Sequence, residues 1–123
     1  MDGQSPTRYP LHGRVQVALP SQSVLSGHTL DISVGGLCVL LQDQIPLGVV
    51  YPIRFEMAIK GNPHVITALA KSVYGVFASG GGFRAGFAFE EEDQLRTELI
   101  RSLAGKKPMV EAISKEQGPG SRL

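Results

Sequence analysis

The stretch GHTLDISVGGLCVLL, residues 27–41, decides the fold class. Its first half places Leu30 and Ile32 on one face and Asp31 and Ser33 on the other, the two-residue period of a strand with one face in a core. Gly35-Gly36 breaks that period. Leu37 to Leu41 follows as an apolar run bounded by Gln42 and Asp43, which reads as a strand covered on both faces. The same period recurs on either side. Upstream, RVQVALP sets Val15, Val17 and Leu19 against Arg14, Gln16 and Ala18 and is stopped by Pro20, with a Ser/Gln-rich turn at 21–26. Downstream, YPIRFEMAIK sets Tyr51, Ile53, Phe55, Met57 and Ile59 against Arg54, Glu56 and Lys60. Pro52 cannot donate to a ladder, so the start of this strand is expected at an edge. Gly61-Asn62-Pro63 reads as a turn into a long strand, HVITALAKSVYGVF, with small outward residues and a bend near Gly75. Ser79-Gly80-Gly81-Gly82 turns the chain into FRAGFAF, where Phe83, Ala85, Phe87 and Phe89 share a face.

Past Phe89 the period changes to that of a helix, with Leu95, Leu99, Ile100 and Leu103 as its apolar stripe. Glu90 to Asp93 lie at its favourable N-terminal end, and Gly105 stands where a C′ glycine belongs. The expected architecture is all-β: six short strands in a closed or nearly closed antiparallel barrel, with one C-terminal helix over an open end. The expected organisation is a flexible arm over residues 1–13, the barrel and helix over 14–104, and a mobile tail over 105–123.

At 123 residues and 13.2 kDa, with 42% hydrophobic and 19% charged residues, the chain fits one domain and leaves no room for a two-domain enzyme. The lone Cys38 cannot close an internal bridge. Twelve basic against eleven acidic residues argue against a general polyanion binder, so any anion site is local and neither DNA nor RNA is an expected partner. No apolar run reaches the roughly 20 residues of a membrane span, and Asp2, Gln4, Ser5 and Arg8 occupy a start where a signal peptide is apolar. A soluble, cytoplasmic protein is the expectation.

The residues most suggestive of chemistry are Asp31, Ser33 and Gly36, in the pattern D-x-S-x-x-G. A carboxylate offers paired acceptors to the N–H groups on a guanine edge, a hydroxyl meets a phosphate or base, and a glycine lets a group approach the backbone closely. From these residues alone, a Ser or Asx turn that ends a strand is the plainer reading. Catalysis has no visible machinery. His12, His28 and His64 show no metal spacing, and the glycines at 80–82 lack the Lys-Ser/Thr of a phosphate loop. Cys38 reads as a small buried hydrophobe, and the acidic run at 90–93 as a helix start.

Together with an arginine leading into R-V-x-V some twenty residues upstream, DISVGG resembles the PilZ domain family. That family is defined by an R-x-x-x-R loop before its first strand and a [DN]-x-S-x-x-G turn, on a six-stranded barrel. The resemblance covers roughly residues 8–104. It implies a receptor for the bacterial messenger cyclic di-GMP, with Arg8 and Arg14 clamping phosphates and guanine faces while Asp31, Ser33 and Gly36 hold the other edge. It also implies that binding orders the arm and so signals to a protein effector, with motility, exopolysaccharide or biofilm as the controlled output. The second motif is complete here, and the first is not in register. The position that should carry the other arginine is Pro10, Arg8 lies two residues further out, and the family spacing counted from Arg8 reaches His12. Two readings stay open: a stretched loop using Arg8 and Arg14 with His12 helping, or a loop that has lost the ligand.

A guanidinium binds phosphate bidentately or stacks on a purine, so losing one arginine contact weakens binding roughly ten- to a hundredfold. The alternatives are a PilZ-like adaptor that binds no nucleotide, for example in type IV pilus assembly, and a barrel that stacks single-stranded nucleic acid on aromatic side chains. Charge balance and the inward placement of Phe83, Phe87 and Phe89 speak against the second.

Overall fold

The computed structural model describes residues 7–104. Seven strands and one helix follow in order: β1 (Tyr9–Pro10), β2 (Arg14–Ala18), β3 (Val24–Ser33), β4 (Gly36–Leu41), β5 (Val50–Ile59), β6 (Asn62–Phe77), β7 (Phe83–Phe89) and α1 (Gln94–Ala104). All pairings are antiparallel. The sheet runs β3-β2-β5-β6-β7-β4 and closes through β3–β4, while β1 lies beside the far end of β3. This is the six-stranded barrel with a C-terminal helix that the alternation called for, and closure removes most of the sheet edge that would otherwise need covering.

Alternation fills the barrel. Val15, Val17, Ile32, Leu37, Val39, Leu41, Ile53, Phe55, Met57, Ala85 and Phe87 point inward and are buried, and Tyr51 meets Phe87 edge to face at 6.4 Å. Every second residue of β5 is buried, as its pattern predicts. Pairing with β2 begins only at Ile53, so Pro52 has β6 on one side and no ladder on the other. The Ser79–Gly82 segment is a hairpin turn: Ala78 N–H donates to the Gly82 carbonyl at 3.0 Å.

Four expectations need correction. Tyr9 to Gly13, read as part of an irregular arm, runs along β3: Tyr9 pairs with Ile32 and Pro10 with Asp31, Leu11 enters the core, and Thr29 Oγ1 accepts from Gly13 N–H at 2.9 Å. Leu11 supplies the apolar anchor, and the buried Thr29 hydroxyl is satisfied by Gly13. Second, β6 does not carry only small outward residues, because Val65, Leu69, Val73, Val76 and Phe77 are exposed. The departure near Gly75 is a register shift between Ser72 and Tyr74.

Third, the helix stripe turns differently. Leu95 is 67% exposed, while Arg96 is 6% exposed with its guanidinium carbon 4.2 Å over the Phe89 ring. Arg96 Nη2 also donates to the Glu91 carbonyl, and its Nε is buried without a partner. Arginine buries a long apolar stem and stacks on aromatics, so one helix position reads as polar and packs as apolar. Ile100 completes the cap over the barrel end. Fourth, the acidic run works through one residue, Asp93, whose Oδ1 accepts from Arg96 N–H at 2.8 Å as an N-cap. Gly105, the tail at 105–123 and residues 1–6 lie outside the described residues, and no described helix is long and apolar enough to cross a membrane.

Candidate functional site

Ladder registers place four outward residues in a row across the barrel wall: Asp31 on β3 opposite Cys38 on β4, Cys38 opposite Gly86 on β7, and Gly86 opposite Tyr74 on β6. Above the β3 end of this row stands Arg8, whose Nη1 meets Asp31 Oδ1 at 2.6 Å. The pair is partly exposed, so it adds little to stability and leaves both groups open to exchange partners.

At the other end, the Tyr74 ring lies flat on Gly86. A Cβ there would sit 2.6 Å from ring Cζ and nearer still to Cε2, so the interior strand glycine is the seat of the ring. The Tyr74 hydroxyl donates to Cys38 Sγ at 3.3 Å. Burial pushes the phenol pKa up to about 12, helped by the Cys38 hydrogen bond and by Asp31, with Arg8 acting in the opposite direction. The ring therefore feels both charges of the ion pair and stays neutral throughout the physiological range. It is 37% exposed, a fixed aromatic surface beside a guanidinium and a carboxylate. Cys38 is buried as expected, with the further task of anchoring this ring.

The other predicted site residues take different places. Ser33 is buried, and its hydroxyl accepts from Gly35 N–H at 3.2 Å, which is the strand-ending turn. Gly36 is required by packing: a Cβ would lie 3.3 Å from the Phe87 carbonyl carbon and collide with its oxygen. His12 and Arg14 are exposed on the side of β3 that carries Arg8, with Arg14 opposite His28. His28 lies three residues from Asp31, roughly 10 Å along the strand at about 3.3 Å per residue. Arg14 also borders a cleft of about 550 Å³ with His28, Gln42, Arg54 and Glu56. The structure thus brings Arg8 and Asp31 into contact, adds Tyr74, and sets Arg14 apart. Tyr74 was missed. Its one sequence signal is Gly86 inside FRAGFAF, a glycine in mid-strand. Among the described residues, no three His, Cys, Asp or Glu side chains gather to hold a metal ion.

Comparison with known proteins agrees with this architecture. The pattern of the PilZ domain matches residues 4–105. Among solved structures, the chain is similar to the Bacillus subtilis inhibitor of motility MotI/DgrA, with a TM-score of 0.73 and 15% identity over 85% of this chain and 51% of that one. It is also similar to Escherichia coli YcgR in complex with c-di-GMP, at a TM-score of 0.70 and 19% identity over 84% of this chain and 45% of that one. The PilZ domain with c-di-GMP of YcgR gives a TM-score of 0.62 at 18% identity, over 83% of this chain and 88% of that one. The chain spans about half the length of MotI and of the longer YcgR chain. At these identities the likeness concerns the fold. The curated proteins contain no match. With the family pattern covering residues 4–105 of 123 and the closed barrel in place, the chain belongs to the PilZ domain family.

Proposed function

We propose that this chain is a cyclic di-GMP receptor domain that takes the messenger on the outer face of β3, β4, β7 and β6. The observation that carries the reading is the grouping of Arg8, Asp31 and Tyr74, which offers a guanidinium, a carboxylate and a flat aromatic surface to one ligand. Family membership and a c-di-GMP complex of the same fold support the choice of ligand. Asp31 accepts the N–H groups of a guanine edge, the Tyr74 ring stacks on a purine, and Arg8 leaves Asp31 for a phosphate. Arg14 and His12, further along β3, reach the second half of the ligand. Ser33 and Gly36 act through the shape of the turn. No bond is made or broken, so the domain works as a receptor.

Since Tyr9 to Gly13 already lies along β3, the signal falls on Arg8 itself. Its exchange of Asp31 for phosphate redraws the surface shown to a protein effector. A nucleotide-free adaptor is the second reading. It is favoured by the closed Arg8–Asp31 pair, which satisfies the site from within.

Calorimetric titration with cyclic di-GMP separates the two. A receptor binds at low micromolar or tighter, and Asp31→Ala and Arg8→Ala each weaken it about ten- to a hundredfold, the equivalent of one charge-assisted contact. Absence of heat and of chemical-shift change at millimolar ligand refutes the receptor and leaves the adaptor.

A further inference from the structure

Among the described residues, barrel closure leaves several strand stretches with a neighbour on one side only, and one of them is the end of β6. β6 pairs with β5 only as far as Lys71, opposite Val50, and the backbone of Ser72 bonds to Gly48 and Val49. From Val73 to Phe77, β6 has β7 on one side, and among the described residues no strand on the other. Backbone polarity along this segment follows from its hairpin end. Ala78 N–H donates toward β7, to the Gly82 carbonyl, and groups alternate along a strand, so Val76 and Tyr74 also address β7. Gly75 and Phe77 therefore direct their N–H and C=O groups to the open side.

Exposed edges are usually guarded by lysine, proline or an inward charge. The segment Val73-Tyr74-Gly75-Val76-Phe77 has none of these and no charge at all. Its two outward-bonding residues are also a knob and a hole. Phe77 is 83% exposed, the most exposed large apolar side chain described, and a Cβ built on Gly75 meets nothing within 4 Å. Both residues lie on one face of the strand, two positions apart.

We infer that this edge pairs with the same edge of a second copy of the chain, antiparallel, about a two-fold axis through Val76. That register sets Gly75 of each copy opposite Phe77 of the other, and each such pair exchanges N–H and C=O bonds in both directions. It also lays each phenyl ring over a glycine without a side chain, as Tyr74 lies over Gly86 within one barrel. A symmetric pair of neutral edges meets without like-charge repulsion, and the same patch serves both copies. An edge of five residues buries less than the roughly 1,200 Å² of a standard interface, so the dimer is weak and concentration-dependent.

The test needs no nucleotide and so stands apart from the receptor reading. Sedimentation equilibrium of the full chain from about 10 µM to 1 mM is run beside amide spectra over the same range, a span suited to interfaces of this size. The expected result is a monomer–dimer equilibrium in which the amide signals of Gly75 and Phe77 move with concentration while those of Tyr74 and Val76 move far less. Phe77→Lys and Gly75→Val, both at open positions, are expected to weaken the dimer at least about tenfold. Val65→Lys, an exposed position on the half of β6 that pairs with β5, leaves it unchanged. A chain monomeric to 1 mM overturns the inference, as does a dimer that survives Phe77→Lys and Gly75→Val.

Discussion

Three glycines of the barrel wall, given the same substitution, should rank by what their missing side chains make room for. In Gly75→Ala, the new methyl meets nothing within 4 Å. Relief of unfolded-state entropy favours the variant, and stability changes by less than about 1 kcal/mol in the stabilising direction. In Gly86→Ala the methyl invades the Tyr74 ring, with Cζ at 2.6 Å, so the ring swings off its seat and the bond to Cys38 is lost. Overpacking of this kind costs about 1–3 kcal/mol, and a side chain can relieve part of it by rotating. In Gly36→Ala the obstacle is the Phe87 carbonyl, part of the β4–β7 ladder in which Gly36 pairs with Ala88, and backbone cannot step aside. That variant lies at or above the top of the same range. With a urea slope of about 1.5 kcal/mol/M for a domain of this size, a 2 kcal/mol loss lowers the midpoint by about 1.3 M, well resolved by circular dichroism. Equal midpoints for Gly86→Ala and Gly75→Ala would refute the claim that the glycine exists to seat the ring.

Other outcomes follow from the same geometry. Arg8→Ala leaves the urea midpoint nearly in place, a change under about 1 kcal/mol for an exposed pair, whatever it does to ligand affinity. Because the Tyr74 phenol is raised from 10.0 to about 12, its burial favours the folded state fully below pH 10, and that contribution is lost as pH climbs from 10 toward 12. Ultraviolet titration of tyrosinate should show this late ionisation, and Cys38→Ala should bring it earlier. Loss of the helix cap in Asp93→Ala costs about 1 kcal/mol in urea unfolding, and Asp93→Asn recovers most of it.

The barrel was legible because burial on one face enforces a period of two: every inward position of β5 follows from the alternation in YPIRFEMAIK. The helix was legible as a helix and misjudged in its facing, since Arg96 packs by its stem and its stack on Phe89 while Leu95 turns to solvent. For the site, Asp31 and Arg8 could be picked out as residue types, yet their contact depends on a pairing between β1 and β3 that two residues of sequence barely announce. Tyr74 was hidden for a similar reason. Its neighbours Cys38 and Gly86 come from strands far away in the chain, and the register shift after Ser72 moves it to the face where it meets them.

The arm along β3 also bears on the spacing of its arginines. Tyr9 and Leu11 turn toward the barrel while Arg8, Pro10, His12 and Arg14 turn away, so positions on this segment come in two alternating kinds. An arginine can be moved along it only by an even count if its side chain is to stay above Asp31. The six-residue step from Arg8 to Arg14 keeps the parity of a four-residue step, and a five-residue step would bury a guanidinium against Ile32. A lengthened motif of this type is thus a translation along a ruled track, and relatives with odd spacings should need a bulge or a break in the pairing to keep both charges outside.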